Sequence, residues 1–458
     1  MLKRYHFSEN AKIITSSIPG PESRKLLRKQ EKYESNNRSY PRLIPIAFDK
    51  ARGATITDVD GNIFLDFFSG CGVLNLGHNN RDILKKLQDH ADTIIQAVDF
   101  PTKIKIDFLE KLLSALPKKM VGRYKVNFGG PTGSDAIEAA IKLVRINTGR
   151  HGIISFQGSY HGMTAGALSV TSNLSKRSSA PPLIPGVHFM PYCSPYRCPI
   201  GTNKNGKCKF ECISYFQNSL ENPHSGIDKP AAIIVEPIQG EGGTYIPKDG
   251  WLEKIVNIAR KNNILVIFDE IQTGFYRTGK LFAFEHTKAM PDIITMSKGI
   301  GGIGFPLSLV LYRKELDTWK PGTHIGTFRG NQLAMLAGLT ALGLVRDLNL
   351  ESYAKSIGKL IKERLIAMQE KFDFIGEIRA RGMIFGIEYV KSKSTKEPDA
   401  RLAKKVLELC YKNGLLVELG GYYSNVIRFL PPLIITENIA SNGLNIFNKV
   451  NSIISKSE

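Results

Sequence analysis

Two apolar runs in the middle of the chain form its most informative hydrophobic pattern. Residues 264–268 are continuously apolar and stop at Asp269, and residues 293–294 belong to a second run that Lys298 follows. A short continuous apolar run is typical of a strand buried on both faces of a parallel sheet. Such sheets bind ligands at the carboxyl ends of their strands. The pattern therefore predicts an aspartate and a lysine at one edge of a parallel sheet.

Further apolar runs alternate with amphipathic stretches from about residue 70 to 330. This alternation predicts a large α/β domain with a mostly parallel sheet covered by helices. The predicted strands include residues 121–128, 152–156 and 231–236, and the predicted helices include residues 81–97, 101–117 and a stretch from Asp135.

Both ends of the chain show a different pattern. Residues 22–33 are amphipathic, and Asp60-Gly61 is a strong hairpin signal between two strand-like runs. Long helical stretches at 332–347, 351–371 and 399–413 are mixed with strand-like runs, one of them at 426–429. We expect a smaller α+β domain built from both termini. The predicted division is 1–68 for the N-terminal part, 69–335 for the large domain and 336–458 for the C-terminal part.

Composition narrows the class of protein. The chain has 458 residues, 42% of them hydrophobic, and a formal net charge of +20. Its basic residues are spread along the chain without a dense block, which disfavours nucleic-acid binding. The positive field of the protein favours anionic substrates and a phosphate-bearing cofactor. No apolar segment approaches the ~18 residues of a membrane span, and the N-terminus lacks an apolar signal region, so we expect a cytoplasmic protein.

Asp269 and Lys298 suggest a pyridoxal 5'-phosphate (PLP) site. A lysine amine can bond the aldehyde carbon of PLP, and an aspartate can keep the pyridine nitrogen protonated. Gln272, three residues after Asp269, could donate to the ring hydroxyl oxygen. In the alternative interpretation, Asp269 merely ends a strand or caps a helix, and Lys298 is solvated. This stretch alone leaves both interpretations open.

Other strand ends carry further candidate residues. Gly133 and Ser134 lie in a glycine-rich turn between a predicted strand and a helix, where backbone N–H groups can bind a phosphate, although many such turns are merely tight. Tyr160 follows the next strand and could stack on a ring or belong to the core. Glu236 and Glu241 form a carboxylate pair that could serve metal or acid/base chemistry, but no histidine ligands accompany them.

The segments FDEIQTGFYRTGK and TMSKGIGG resemble the class III aminotransferases, which are fold-type I PLP enzymes. The resemblance covers nearly the whole chain. It implies that Gly133 and Ser134 bind the cofactor phosphate and that Tyr160, followed by His161, stacks on the ring. It also implies that Lys298 and Asp269 are catalytic.

The same resemblance implies roles for residues that bind substrate and connect subunits. Glu241 is expected to pair with Arg428, whose planar fork can bind a carboxylate bidentately, and Glu236 is expected to support the site. Thr327 is expected to reach the cofactor phosphate of a neighbouring subunit, which implies a homodimer with shared active sites. A cap of the following helix is the alternative role for Thr327.

Residues 30–42, 54–79 and 195–201 resemble family members that use L-2,4-diaminobutyrate as amino donor. The implied reaction transfers its terminal amino group to 2-oxoglutarate and gives aspartate 4-semialdehyde and glutamate. Cys71 and Ala167 replace the tyrosine and arginine of ornithine aminotransferases, which weakens the hypothesis that ornithine or 4-aminobutyrate is the amino donor. The alternatives are another ω-amine donor, a PLP aminomutase or racemase of the same fold, and a binding protein with an inactive cofactor site.

Four of the six cysteines lie within twenty residues. Their spacing, C-x4-C-x9-C-x3-C, is loosely compatible with tetrahedral zinc, although zinc sites more often contain C-x2-C pairs. Free thiols are the other interpretation, since disulfides are rare in the cytosol. The four candidates are Cys193, Cys198, Cys208 and Cys212.

Overall fold

The computed structural model describes residues 2–92, 96–201 and 208–456. They divide into two compact units. The terminal unit contains both ends of the chain, up to Leu84 and from Asn349, and the central unit contains residues 85–348. Among the described helices, none alone has the length and apolar character needed to cross a bilayer, although one bent pair, 332–347 with 350–371, meets that criterion jointly.

The strands of both units are short, and most are buried. In chain order they are β1 (Phe48–Arg52), β2 (Thr55–Asp58), β3 (Ile63–Asp66), β4 (Tyr124–Phe128), β5 (Ile153–Phe156), β6 (Val187–Met190), β7 (Ala232–Val235), β8 (Leu265–Asp269), β9 (Ile293–Met296), β10 (Leu309–Arg313), β11 (Ile375–Arg381), β12 (Ile384–Tyr389), β13 (Leu415–Leu416), β14 (Glu418–Gly420) and β15 (Val426–Phe429).

The helices range from single turns to six turns. In chain order they are α1 (Pro21–Tyr33), α2 (Tyr40–Leu43), α3 (Ser69–Gly72), α4 (Arg81–Gln88), α5 (Lys103–Ser114), α6 (Gly133–Thr148), α7 (Ala165–Val170), α8 (Leu174–Arg177), α9 (Glu211–Glu221), α10 (Trp251–Lys261), α11 (Gln332–Asp347), α12 (Leu350–Lys371), α13 (Ala400–Lys412) and α14 (Glu437–Ser455).

The central unit is built on a seven-stranded sheet of order β4-β10-β9-β8-β7-β5-β6. Strands β9, β8, β7, β5 and β6 pair in parallel, and β10 runs antiparallel to both of its neighbours. The predicted mostly parallel sheet is therefore confirmed. Helix α6 packs on it through Ile137, Ala140, Ile141 and Val144, the positions at helical spacing in the sequence, and all four are buried. This packing fixes the start of α6 beside the carboxyl ends of the strands.

The terminal unit contains two four-stranded sheets, of orders β1-β2-β3-β13 and β11-β12-β15-β14. The predicted hairpin around Asp60-Gly61 is confirmed, because β2 and β3 pair antiparallel and Gly61 has a φ of 85°. Strand β13 comes from the C-terminal part and pairs with β3 from the N-terminal part. An α+β unit assembled from both ends of the chain follows from this pairing.

The two units divide after Leu84 and after Leu348, later than the boundaries at 68 and 335 expected from sequence. Local contacts explain both positions. Asn75 O accepts from Leu433 N at 2.8 Å, which ties the segment after residue 68 to the C-terminal part. Helix α11 packs on α5 and so stays with the central unit.

Two predicted elements are shorter in the structure. The helix expected over 81–97 ends at Gln88, and residues 93–95 lie outside the described part. The strand expected over 121–128 begins only at Tyr124. The reason is a turn before it, in which Met120 N donates to Pro117 O and Gly122 adopts a φ of 73°.

Candidate active site

A cavity of about 220 Å³ lies in the central unit. It brings together most of the residues singled out from the sequence. Those that line it are Gly133, Ser134, Tyr160, His161, Glu236, Glu241, Asp269, Gln272 and Lys298. Two further sequence candidates, Thr327 and Arg428, are not among the described residues that line it.

Asp269 ends β8 and is held by three donors. Its Oδ2 lies 2.7 Å from Nδ1 of His161, and its Oδ1 accepts from the backbone N–H of Ile271 at 3.0 Å and from Thr295 Oγ1 at 3.2 Å. The carboxylate is only 4% exposed, so these contacts replace water. Sequence reasoning missed Thr295, although it pairs with Asp269 in the register of β8 and β9.

Lys298 lies just beyond β9, in a 3-10 turn from Lys298 to Gly301. Its side chain is half-buried and its φ is 51°, a left-handed conformation that is uncommon for a residue other than glycine. Gly302, at φ 75°, closes the turn against α11, where a Cβ would lie 2.9 Å from the backbone of Ala337. The glycine-rich tail therefore fixes the lysine backbone by close packing.

The first turn of α6 forms one end of the cavity. Thr132 is the N-cap residue, and the Asp135 carboxylate accepts from its backbone N–H at 2.8 Å. A Cβ on Gly133 would lie 2.9 Å from Ile271, so glycine leaves the cavity open here. Ser134 Oγ accepts from Met163 N at 3.2 Å. An α-helix N-terminus with adjacent hydroxyls is suited to a phosphate.

Glu236 lines the cavity and accepts hydrogen bonds from two of its loops. Its Oε1 accepts from the backbone N–H of Tyr160 at 3.0 Å, and its Oε2 accepts from that of Gly240 at 2.8 Å. Burial raises the pKa of Glu236 to about 7, and the nearby Asp269 charge adds to the increase. The carboxyl group therefore connects the loop that carries Tyr160 to the loop that leads to Glu241.

Glu270 is a buried carboxyl group that sequence reasoning missed. It is 1% exposed and accepts from the backbone N–H groups of Ala283 at 3.0 Å and Phe284 at 2.9 Å, and Thr273 also bonds to it. Burial raises its pKa to about 7. By holding the turn that follows β8, Glu270 supports the neighbouring Asp269. Its adjacency to Asp269 in the sequence was the only available signal.

Thr327 lies on an exposed segment of the central unit, together with Ile325 and Phe328, which are 68% and 73% exposed. The N-cap of α11 is Asn331, whose side chain accepts from Ala334 N at 3.0 Å. The alternative role of Thr327 as a helix cap is therefore wrong, because the helix begins at Gln332. Its predicted contact with a neighbouring subunit stays a prediction.

Arg428 lies in β15 of the terminal unit and is fully buried. It forms an ion pair with Glu418, which faces it across the β14–β15 pairing, with an N–O distance of 3.0 Å. Sequence reasoning missed Glu418. The predicted pairing of Arg428 with Glu241 stays a prediction.

The four clustered cysteines are free in the structure. Cys193 and Cys212 are buried, whereas Cys198 and Cys208 are half-buried. Within the described ranges, no group of three or more His, Cys, Asp or Glu side chains is arranged to hold a metal ion. The zinc interpretation therefore has no geometric support.

The residues lining the cavity fit PLP. A helix N-terminus with Ser134 offers a phosphate site, and a firmly held carboxylate, Asp269, suits a protonated ring nitrogen. Lys298 supplies the amine, and the missing Cβ of Gly133 leaves the space a cofactor needs. The donors and acceptors thus match the two polar ends and the aldehyde of the cofactor.

Comparison with known proteins agrees with this fit. The family model described as Aminotransferase class-III matches residues 36–450. The chain is 44% identical to the diaminobutyrate–2-oxoglutarate aminotransferase of Haemophilus influenzae, over 88% of this chain and 90% of that protein. It is 40% identical to the protein of the same name from Rhizobium meliloti, over 90% of this chain and 89% of that protein.

A solved structure is similar to this chain in both fold and sequence. The ornithine aminotransferase of Toxoplasma gondii, described with partial occupancy of PLP at its active site, superposes with a TM-score of 0.81 at 27% identity. The match covers 95% of each chain. The fold, the lining of the cavity and these matches lead to one conclusion: the chain belongs to the class III aminotransferases, which are PLP-dependent enzymes.

Proposed function

We propose that this aminotransferase transfers the terminal amino group of L-2,4-diaminobutyrate to 2-oxoglutarate, giving aspartate 4-semialdehyde and glutamate. The observation that carries the transfer chemistry is one cavity that contains Lys298, Asp269 and the first turn of α6. The choice of donor rests on the two relatives named for diaminobutyrate. It is also supported by Cys71 and Ala167, which depart from the ornithine pattern.

When bound, PLP supplies an aldehyde that reacts with amines and a ring that accepts electrons. The protein supplies position and proton transfer. Ser134 and the N-terminus of α6 would bind the phosphate, and Tyr160 would cover the ring. The Asp269 carboxylate, held by His161 and Thr295, would keep a proton on the ring nitrogen. Lys298 Nζ would supply the amine that holds the cofactor aldehyde, and it would act as the general acid and base that moves a proton of the substrate.

Glu236 acts indirectly in this proposal. Its two carboxyl oxygens occupy the backbone N–H groups of Tyr160 and Gly240. It therefore positions the residue assigned to cover the ring, and Glu241 lines the same cavity. Gln272, 8% exposed at that cavity, is assigned to the ring hydroxyl oxygen.

Arg428 is assigned to the α-carboxylate of 2-oxoglutarate and glutamate, with Glu241 as its partner when a diamine occupies the site. The guanidinium is suited to this because it can bind a carboxylate through two parallel hydrogen bonds. Its ion pair with Glu418 fixes the planar group at full burial, which limits the side-chain freedom lost on binding.

We further propose a cytoplasmic homodimer in which Thr327 reaches the cofactor phosphate of the second subunit. The exposed apolar side chains beside Thr327, Ile325 and Phe328, support this proposal because such side chains are commonly covered by a partner. The segment also has an internal tie, since Gln96 Nε2 donates to Thr327 O at 2.6 Å.

A panel of amino donors assayed with 2-oxoglutarate tests the function. We expect L-2,4-diaminobutyrate to give the highest kcat/KM, above ornithine and 4-aminobutyrate, with aspartate 4-semialdehyde as product. The Lys298→Ala variant is the inactive control. A 2-keto-4-amino acid product would show transfer from the α position, and a preference for ornithine would show that the donor assignment is wrong.

A further inference from the structure

Helix α7 follows the loop after β5, and a carboxylate from α6 caps its start. The N-cap residue of α7 is Thr164, whose hydroxyl donates to Glu138 in the second turn of α6. The same oxygen of Glu138, Oε1, accepts from the backbone N–H of Gly166 at 2.8 Å and of Ala167 at 3.1 Å. The first N–H groups of a helix have no partner inside it, and a negative charge is favourable there. Glu138 therefore ties the start of α7 to the helix whose first turn lines the cofactor cavity.

The loop between β5 and α7 lies directly against α6. A Cβ on Gly162 would overlap the side chain of Ser134, and a Cβ on Gly166 would overlap the carboxylate of Glu138. Ser134 Oγ also accepts from the backbone N–H of Met163 at 3.2 Å. Glycine at both positions permits this close approach, because a larger residue would push the loop away. The first two turns of α6 therefore hold the whole loop in place.

The other end of α7 reaches the residue that contacts Asp269. Thr171, the C-cap residue, is fully buried, and its hydroxyl oxygen accepts from the backbone N–H of His161 at 2.9 Å. The same hydroxyl donates to the carbonyl oxygen of Ala167 at 2.9 Å. Nδ1 of His161 in turn lies 2.7 Å from Oδ2 of Asp269. A continuous series of contacts thus runs from Glu138 through α7 to the carboxylate assigned to the ring nitrogen.

We propose that Glu138 is a positioning residue of the cofactor site and acts on Asp269 through α7. This role rests on the proposed contact of Asp269 with the ring nitrogen. Glu138 is not among the described residues that line the cavity, so its effect passes through its neighbours. Without its carboxylate, the start of α7 and the Thr164 hydroxyl lose their acceptor, so α7 shifts and Thr171 moves with it. His161 follows, and the aspartate no longer keeps one orientation toward the ring.

Titration of the cofactor-free enzyme with PLP tests this role without any amino donor. We expect Glu138→Ala to raise the Kd of PLP about 10-fold, the effect of one or two lost hydrogen bonds. Glu138→Gln keeps an acceptor oxygen at this place and should stay within about 3-fold of wild type. Glu110→Ala, at an exposed position of α5, is the matched control and should bind PLP as wild type does. An unchanged Kd in folded Glu138→Ala would leave a purely structural role and overturn the proposal.

The route through α7 is tested at its other end. Thr171→Val removes the hydroxyl at nearly constant volume and should raise the Kd of PLP about 10-fold, whereas Thr171→Ser keeps the hydroxyl and should behave as wild type. The double variant Glu138→Ala, Thr171→Val should show about the same increase as either single variant, because both changes break one series of contacts. An increase of about 100-fold, the product of the two, would mean that the residues act separately and would overturn the route through α7. Should Glu138→Ala fail to fold, Glu138→Asp, whose side chain is one methylene shorter, takes its place in the same comparison.

Kinetics at saturating PLP separate the role of Glu138 from the proposed function. We expect Glu138→Ala to lower kcat about 10-fold while the KM values stay within about 2-fold, because the residues assigned to substrate are unchanged. Asp269→Asn is measured alongside and should lose turnover. Wild-type turnover in Asp269→Asn would show that the role proposed for Asp269, and with it that of Glu138, is wrong. An inactive Asp269→Asn together with a wild-type kcat and Kd in Glu138→Ala would show that only the role of Glu138 is wrong.

Discussion

Removing the charge of Glu236 should change how stability depends on pH. Burial raises its pKa from 4.5 to about 7 in the folded protein. Between these values the folded protein retains a proton that the unfolded chain releases, so stability falls as pH rises from about 4.5 to 7 and then levels off. The shift corresponds to about 3 kcal/mol at ~1.4 kcal/mol per pKa unit. Glu236→Gln cannot titrate and should lack this loss.

The Glu236→Gln substitution also lowers the free energy of unfolding by an amount that is independent of pH. Glutamine keeps one acceptor oxygen, so the backbone N–H group of either Tyr160 or Gly240 loses its hydrogen-bond partner. Leaving that buried donor unpaired lowers the free energy of unfolding by about 1–3 kcal/mol. The informative quantity is therefore the difference in Tm between variant and wild type as a function of pH. For a unit of this size, about 3 kcal/mol corresponds to roughly 6–12 °C gained by the variant relative to wild type between pH 5 and 8.

Thermal unfolding of the enzyme freed of PLP is the assay, because a protonated cofactor ring would add a charge beside Asp269. Glu363→Gln, at an exposed position of α12, is the matched control and should follow the wild-type curve at every pH. If the Tm curves of wild type and Glu236→Gln stay parallel from pH 5 to 8, Glu236 is ionised throughout, and the reasoning from its burial is wrong.

Three further substitutions test the assigned roles. Lys298→Ala should still bind PLP but lose turnover, and borohydride should no longer attach the cofactor to the peptide; sustained turnover would exclude Lys298. Mixed dimers of Lys298→Ala and Thr327→Ala subunits should regain activity, because one site then carries neither change; no recovery in proven heterodimers places Thr327 in its own site. Arg428→Lys should slow the 2-oxoglutarate half-reaction roughly 10- to 100-fold more than the diamine half-reaction in stopped flow, whereas equal losses indicate a structural role.

The central sheet and its edge could be predicted because the controlling signals are local. The apolar run before Asp269 forms a strand buried on both faces, and parallel strands bring their carboxyl ends to one edge. Lys298 follows the neighbouring strand and therefore lines the same cavity. The same logic placed Gly133 in the turn between a strand and the helix expected from Asp135, and in the structure α6 already begins at Gly133.

The partners of these charged groups could not be predicted in the same way. His161 and Asp269 are 108 positions apart, and their contact depends on how the loop after β5 returns across the sheet. Such a contact is not encoded in a short repeat, so residue type and spacing identify the groups but leave their partners open.

Arg428 shows why such partners matter for function. The sequence suggests an arginine for a substrate carboxylate, and a solvated arginine would serve that role with considerable loss of side-chain freedom on binding. In the structure Glu418 already pairs with it at full burial, where removing one member leaves a buried charge uncompensated. An arginine held in this way keeps one orientation, so its substitution is expected to affect the folded state as well as the proposed binding of substrate. Rates of the two half-reactions, rather than overall activity, are therefore the measurement that separates these effects.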